Sequence, residues 1–129
     1  MRILILANHS GGLYDFRKDL IAELEKHASV IVAVPHNDRW DELHKLASMV
    51  IELPVDRRGM NPLHDSKLFC QYRAMLKEVK PDLVLTYTIK PNIYGGLACR
   101  MAHIPYAVNI TGLGLSLIHI SEPTRLDVI

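Results

Sequence analysis

Apolar and polar positions follow two rhythms along the chain: short unbroken apolar runs, and longer stretches with apolar residues three and four apart. Residues 2–7 (RILILA) form the first run, apolar on successive positions as a strand covered on both sheet faces requires. The turn residues NHSGG at 8–12 break it. From there the spacing Leu13, Phe16, Leu20, Leu24 predicts a helix with that face inward and Arg17, Lys18, Glu23 and Lys26 toward solvent. Residues 30–34 are β-branched and apolar, a second strand ended by Pro35, whose missing amide hydrogen disfavours a continuing central strand. Asn37 or Asp38 is then placed to cap a helix over 39–47 with Leu43 and Leu46 inward.

A third strand is predicted at 49–53, stopped by Pro54, and the charged segment DRRGMNP at 56–62 reads as a connection. Residues 63–79 carry a long helical pattern whose inward face is Leu68, Tyr72, Met75, Leu76 and Val79, with Lys80 and Pro81 as its stop. A fourth strand at 83–86, a loop containing TIKPN, a helix over 93–101 and a fifth strand at 106–109 complete the series. Strands alternating with helices predict an α/β chain with a three-layer parallel sheet. The remaining segment, LSLIHISEPTRLDVI, offers neither a continuing helix nor another βα unit. Its stretch SLIHISEPTR resembles a translated sequencing-adapter or assembly artefact, the alternative being an ordinary flexible terminus. The chain is therefore expected to divide into a domain at 1–114 and a non-native or disordered tail at 115–129.

Composition narrows the function classes. A chain of 129 residues with 49% apolar positions supports one packed domain, not two complete ones. With 15 Lys+Arg against 14 Asp+Glu, the formal net charge of +1 gives no case for nucleic-acid binding. Positive charge is nonetheless local: between Arg57 and Lys80 there are six Lys or Arg and two Asp or Glu, a patch suited to an anionic membrane surface or a lipid diphosphate. No stretch supplies the roughly 20 apolar residues of a membrane span. The two cysteines, Cys70 and Cys99, lack metal-ligand spacing and fall in predicted helices, so a reduced, cytoplasmic setting is expected.

Candidate chemistry gathers where the predicted strands end. The turn Asn8, His9, Ser10, Gly11, Gly12 lies at a strand's carboxyl end, where glycine lets backbone approach a phosphate or sugar and helix amides face it. It serves equally as a purely structural βα turn. His9 is a candidate base or orienting donor, although no triad or metal set accompanies it. Asp56, Arg57 and Arg58 offer a polar rim whose guanidinium forks suit a diphosphate, or simply a solvated face. Lys90 and Asn92 sit in a loop able to orient sugar hydroxyls or phosphate, or else Pro91 marks a helix start with Asn92 in its first turn. Asn109, Thr111, Gly112 and Gly114 follow the fifth strand as an active-site turn or a tight structural one. The full GxGxxG and Walker A patterns are missing, and no CxxC pair, HExxH or calcium loop supports a metal site.

The segments NHSGGLYDFRKDLIAEL, PVDRRGMNPLHD, KPDLVLTYTIKPNIYGGLACR and IPYAVNITGLG together resemble the amino-terminal domain of a retaining bacterial glycosyltransferase of the family-four, subfamily-four-like group. The resemblance implies the Rossmann-like amino-terminal half of a two-domain GT-B architecture, here truncated, with most nucleotide-sugar contacts in a second domain. It implies transfer of a sugar from a nucleotide sugar, the donor substrate of the complete enzyme, to a saccharide or polyprenyl-diphosphate-linked acceptor, without a metal or other cofactor. The acceptor-side candidates it carries over are the loop at Gly11 and Gly12, the Asp56, Arg57, Arg58 segment and the Lys90, Pro91, Asn92 loop, with Asn109, Thr111 and Gly112 lining the cleft floor. Peripheral contact with the cytoplasmic face of the inner membrane is a further expectation, and the fragment is expected to be inactive alone. A non-catalytic nucleotide-binding regulatory module and a nonfunctional truncated product are the alternatives.

Overall fold

The computed structural model describes residues 1–54, 62–110, 115–119 and 126–128, with side chains at 1–54 and 63–108. Its elements run β1 (Arg2–Leu6), α1 (Ser10–Glu25), β2 (Ser29–Val34), α2 (Trp40–Leu46), β3 (Met49–Glu52), α3 (Pro62–Val79), β4 (Leu83–Tyr87), a π-helical turn (Pro91–Gly95), α4 (Gly96–Ala102), β5 (Tyr106–Ile110), β6 (Leu115–His119) and β7 (Leu126–Val128). The sheet order is β3-β2-β1-β4-β5-β6-β7. The first five strands are mutually parallel, as the alternation of strands and helices predicts. Strands β6 and β7 extend the sheet antiparallel, from the segment that offers no βα unit in the sequence.

Because side chains alternate across a strand, β1 serves two cores at once. Leu4 and Leu6 point to one face, with Leu68, Tyr72, Met75 and Leu76 of α3 and Ala98 and Cys99 of α4. Ile3, Ile5 and Ala7 point to the other, with Leu13 and Ile21 of α1 and Leu43 of α2. This is a doubly wound arrangement with β1 in the middle of its five parallel strands. The inward face of α3 is the one its spacing predicts, Val79 being partly buried at its end. Lys80 takes a left-handed φ of 52° just before Pro81, and the helix stops there.

Two helices differ from expectation. Helix α1 begins at Ser10, so Gly11 and Gly12 belong to its first turn, not to a loop. Its buried positions are Ser10, Gly11, Leu13 and Ile21, while Phe16 is 80% exposed and Leu20 is exposed. The packed side of the helix runs through Leu13, the half-buried Arg17, Ile21 and Leu24, so Phe16 and Leu20 each fall one residue short of it. Helix α2 has Arg39 at its N-cap, with φ 64° and no side-chain cap bond. Asn37 and Asp38, the predicted caps, are tied to Ser10 instead. The Ser10 hydroxyl donates to the Asp38 carbonyl at 2.8 Å and accepts from the Asn37 amide at 2.9 Å.

Candidate functional site

The strand order reverses direction at β1, with β2 and β3 to one side and β4 and β5 to the other. At such a switch point the following chain segments leave in opposite directions and open a crevice beyond the strands' carboxyl ends. A cleft of about 450 Å³ occupies that place. Ala7, Asn8 and His9 line it from the end of β1, Gly12, Leu13, Phe16 and Arg17 from α1, and Tyr87 and Thr88 from the end of β4. Its lining is mainly apolar, with polar groups set around it.

His9 is the N-cap of α1, its Nδ1 accepting from the Gly12 amide at 2.9 Å. An accepting Nδ1 fixes the neutral tautomer with hydrogen on Nε2, so the ring's remaining nitrogen is a donor. The Leu13 amide donates to the His9 carbonyl at 3.1 Å and the Ser10 amide to Asn37 Oδ1 at 3.4 Å. Three amides of the first turn are thus already bonded within the chain. Those of Ser10 and Gly12 are engaged by side chains of the chain itself, and that of Leu13 makes the ordinary helical bond. The two glycines also differ in role. A Cβ on Gly11 would lie 3.1 Å from Asp38 Cβ and from His9 Cε1, so Gly11 lets α1 seat against the β2–α2 connection. Gly12 has ordinary room and borders the cleft.

Arg17 and Tyr87 form the opposite wall. The guanidinium carbon stands 5.2 Å from the Tyr87 ring centre, within cation–π range. Burial raises the Tyr87 phenol above its usual pKa, and the charge and hydrogen bond of Arg17 oppose that rise. In the sequence Tyr87 opens the candidate loop that runs to Asn92, but Arg17 does not stand out, because the pairing crosses 70 positions of chain and appears only once β4 lies beside β1. Thr88 has φ 73°, a strained conformation for a β-branched residue, and its hydroxyl donates to the Tyr87 carbonyl. The helix begins directly after it: the Asn92 amide donates to the Thr88 carbonyl at 3.0 Å, and Pro91 occupies the first turn, where a missing N–H is harmless. TIKPN is therefore mostly helix start and not loop.

Lys90 does not line the cleft. Its ammonium meets Asp65 Oδ1 of α3 at 2.8 Å, with the two side chains 13% and 14% exposed. The Tyr94 hydroxyl donates to Asp65 Oδ2 at 3.0 Å, and that bond raises the Tyr94 pKa. Asn92 is half-buried in the first helical turn and also lies outside the cleft lining. Asn109 is in β5, paired with Tyr87, and its side chain lies outside the described residues. Asp56, Arg57, Arg58, Thr111 and Gly112 are outside them too. Of the sequence candidates with described side chains, the cleft brings together His9 and Gly12 and leaves Gly11, Lys90 and Asn92 beside it. Among the described residues, no three His, Cys, Asp or Glu side chains are grouped to hold a metal, and no helix is long and apolar enough to cross a membrane. Ile89, Ile93, Leu97 and Met101, each four apart, are exposed along the helical segment that ends in α4.

Comparison with known proteins places this geometry in a family. A curated relative from Campylobacter jejuni, N,N'-diacetylbacillosaminyl-diphospho-undecaprenol alpha-1,3-N-acetylgalactosaminyltransferase, is 32% identical over 116 residues, covering 88% of this chain. The chain spans 31% of that relative's length. Among solved structures, UDP-GlcNAc 2-epimerase from Neisseria meningitidis shares the fold with a TM-score of 0.64 at 19% identity, over 88% of this chain and 33% of its own. MurG from Acinetobacter baumannii does so with a TM-score of 0.60 at 18% identity, over 83% of this chain and 34% of its own. Residues 2–126 match the family described as glycosyl transferase 4-like, a match running from β1 into β7, and the chain belongs to that family.

Proposed function

We propose that this chain supplies the acceptor side of a glycosyl transfer from a nucleotide sugar to a saccharide or polyprenyl-diphosphate-linked acceptor. The observation that carries the reading is the mainly apolar cleft at the β1/β4 switch point, rimmed by His9, Arg17 and Thr88. Its role is to hold the acceptor in position, so that placement supplies the entropic part of the rate. The nucleotide-sugar contacts belong to the part of the family's longer proteins that this chain does not span, and these 129 residues are inactive alone. No cofactor is needed. Peripheral contact with a lipid surface fits the exposed series Ile89, Ile93, Leu97, Met101, with the exposed Arg100 beside it.

One experiment tests these statements together. The chain is grafted in place of the matching third of the Campylobacter relative, and acceptor lipid is presented in anionic vesicles with labelled nucleotide sugar. A folded chimera is expected to form glycosylated lipid and to sediment with the vesicles, while the isolated chain forms no product. A folded chimera without product, together with saturable nucleotide binding by the isolated chain, would replace the reading with that of a regulatory nucleotide-binding module.

A further inference from the structure

Phe16 presents an aromatic ring that the fold does not use. It stands between Leu13 and Ile21, both buried, yet is 80% exposed, and it is the aromatic side chain of α1 at the cleft. A single exposed apolar residue is ordinary on a protein surface. The setting here is not: the ring borders a cleft of about 450 Å³ lined also by the polar residues Asn8, His9 and Thr88, the Thr88 hydroxyl donating to the Tyr87 carbonyl and keeping its lone pairs to accept. Such a pairing of one flat apolar surface with peripheral donors and acceptors matches a ligand that is itself apolar on its face and polar at its edge. A pyranose chair with equatorial substituents has that form, with axial C–H bonds on its two faces and hydroxyls around the rim.

We infer that Phe16 is the stacking platform for a neutral pyranose ring of the acceptor, with His9, Asn8 and Thr88 meeting its hydroxyls. The inference rests on the acceptor-side reading and specifies which part of the acceptor occupies the cleft. Two other occupants fit less well. A diphosphate carries more charge than the single cation among the described lining residues, Arg17, which already lies against Tyr87, can balance, and the Ser10, Gly12 and Leu13 amides are bonded internally. A prenyl chain would cover the Asn8 side chain and His9 Nε2 without offering either a hydrogen-bond partner, while His9 Nδ1 and the Thr88 hydroxyl already have theirs within the chain. A neutral ring satisfies both the apolar surface and the polar edge.

The test uses the isolated full chain and a simple probe, methyl β-D-glucopyranoside, observed by proton NMR. Binding is expected in roughly the millimolar range for a single ring. The probe's axial ring protons should shift upfield from the aromatic ring current, while its methyl signal moves less. Phe16→Ala should weaken binding about fivefold and abolish the upfield shift, whereas Phe16→Trp should retain both. Because the side chain is exposed, both variants should melt with the parent. Absent binding by the parent, equal affinity in Phe16→Ala, or binding of farnesyl phosphate in place of the glycoside would each overturn the inference. None of these outcomes touches product formation by the chimera, so the platform can fail while the transferase reading stands.

Discussion

Lys90 carries its charge into a setting with little water, where the Asp65 carboxylate holds it at 2.8 Å and Tyr94 bonds the second carboxylate oxygen. Removing the lysine takes the counter-charge from a part-buried Asp65 carboxylate that Tyr94 still bonds, at a cost of about 2 to 3 kcal/mol. Lys90→Met is therefore expected to lower the urea midpoint of the isolated chain by that order. The double variant Lys90→Met, Asp65→Asn should recover most of the loss, since Asn still accepts from Tyr94 without a charge. A loss below about 1 kcal/mol in the single variant would mean that the pair is effectively solvated. The sequence marks Lys90 as a cation in a polar segment, and that much is legible. Its partner is 25 positions away in the first turn of α3, and nothing in spacing or composition announces the pairing. His9 shows the converse: a residue singled out for chemistry also closes the first turn of its own helix, a local bond that the series H-S-G-G allows but does not require.

At the scale of elements, the segment from Thr88 to Ala102 shows how close approach is built. A Cβ on Gly95 would fall 2.6 Å from Leu6 Cδ1 and 3.3 Å from Thr86 Cγ2, and one on Gly96 would fall 3.0 Å from the Tyr106 ring. The paired glycines let the π-helical turn and α4 rest directly on β1, β4 and β5. Gly95→Ala must displace the fully buried Leu6, so it should cost about 1 to 3 kcal/mol despite alanine's better helix propensity. Gly12→Ala, whose Cβ would make only ordinary contacts with His9 at 3.7 and 3.9 Å, should stay within about 1 kcal/mol of the parent or gain stability. Thermal melts of the two variants check the contrast, and equal losses would refute the packing role assigned to Gly95. The helices and strands themselves were legible because apolar spacing and proline stops are local signals. The start of the last helix was legible only as one of two readings of TIKPN, a loop or a helix opening at Pro91, and the second holds where Thr88 takes a positive φ just before the helix. The exposed face of α1 was missed for a related reason: Phe16 is as apolar as the core residues around it.

For the whole molecule, two cores on opposite faces of one sheet give stability a defined response to alkali. Cys99 is completely buried in the α3/α4 core, where desolvation pushes its thiol from 9.0 up to about 12. The same burial raises the Tyr72 phenol in that core well above its ordinary 10.0. In the unfolded chain the thiol ionises near pH 9, whereas the folded chain holds the proton until about pH 12. The folded state therefore carries the extra proton across that window. Stability falls as pH rises through it, by about 1.4 kcal/mol per pH unit for one such group, and Tyr72 steepens the fall above its unfolded value. Below pH 9 these groups are neutral in both states and contribute no slope. Urea unfolding at intervals between about pH 8 and 11 should show a flat region followed by a decline. Cys99→Ala should begin from lower stability, because it leaves a small cavity, yet decline later and less steeply. Parallel curves for the parent and Cys99→Ala would show that another group governs the alkaline loss, and that the α3/α4 core admits enough water to ionise the thiol in the folded state.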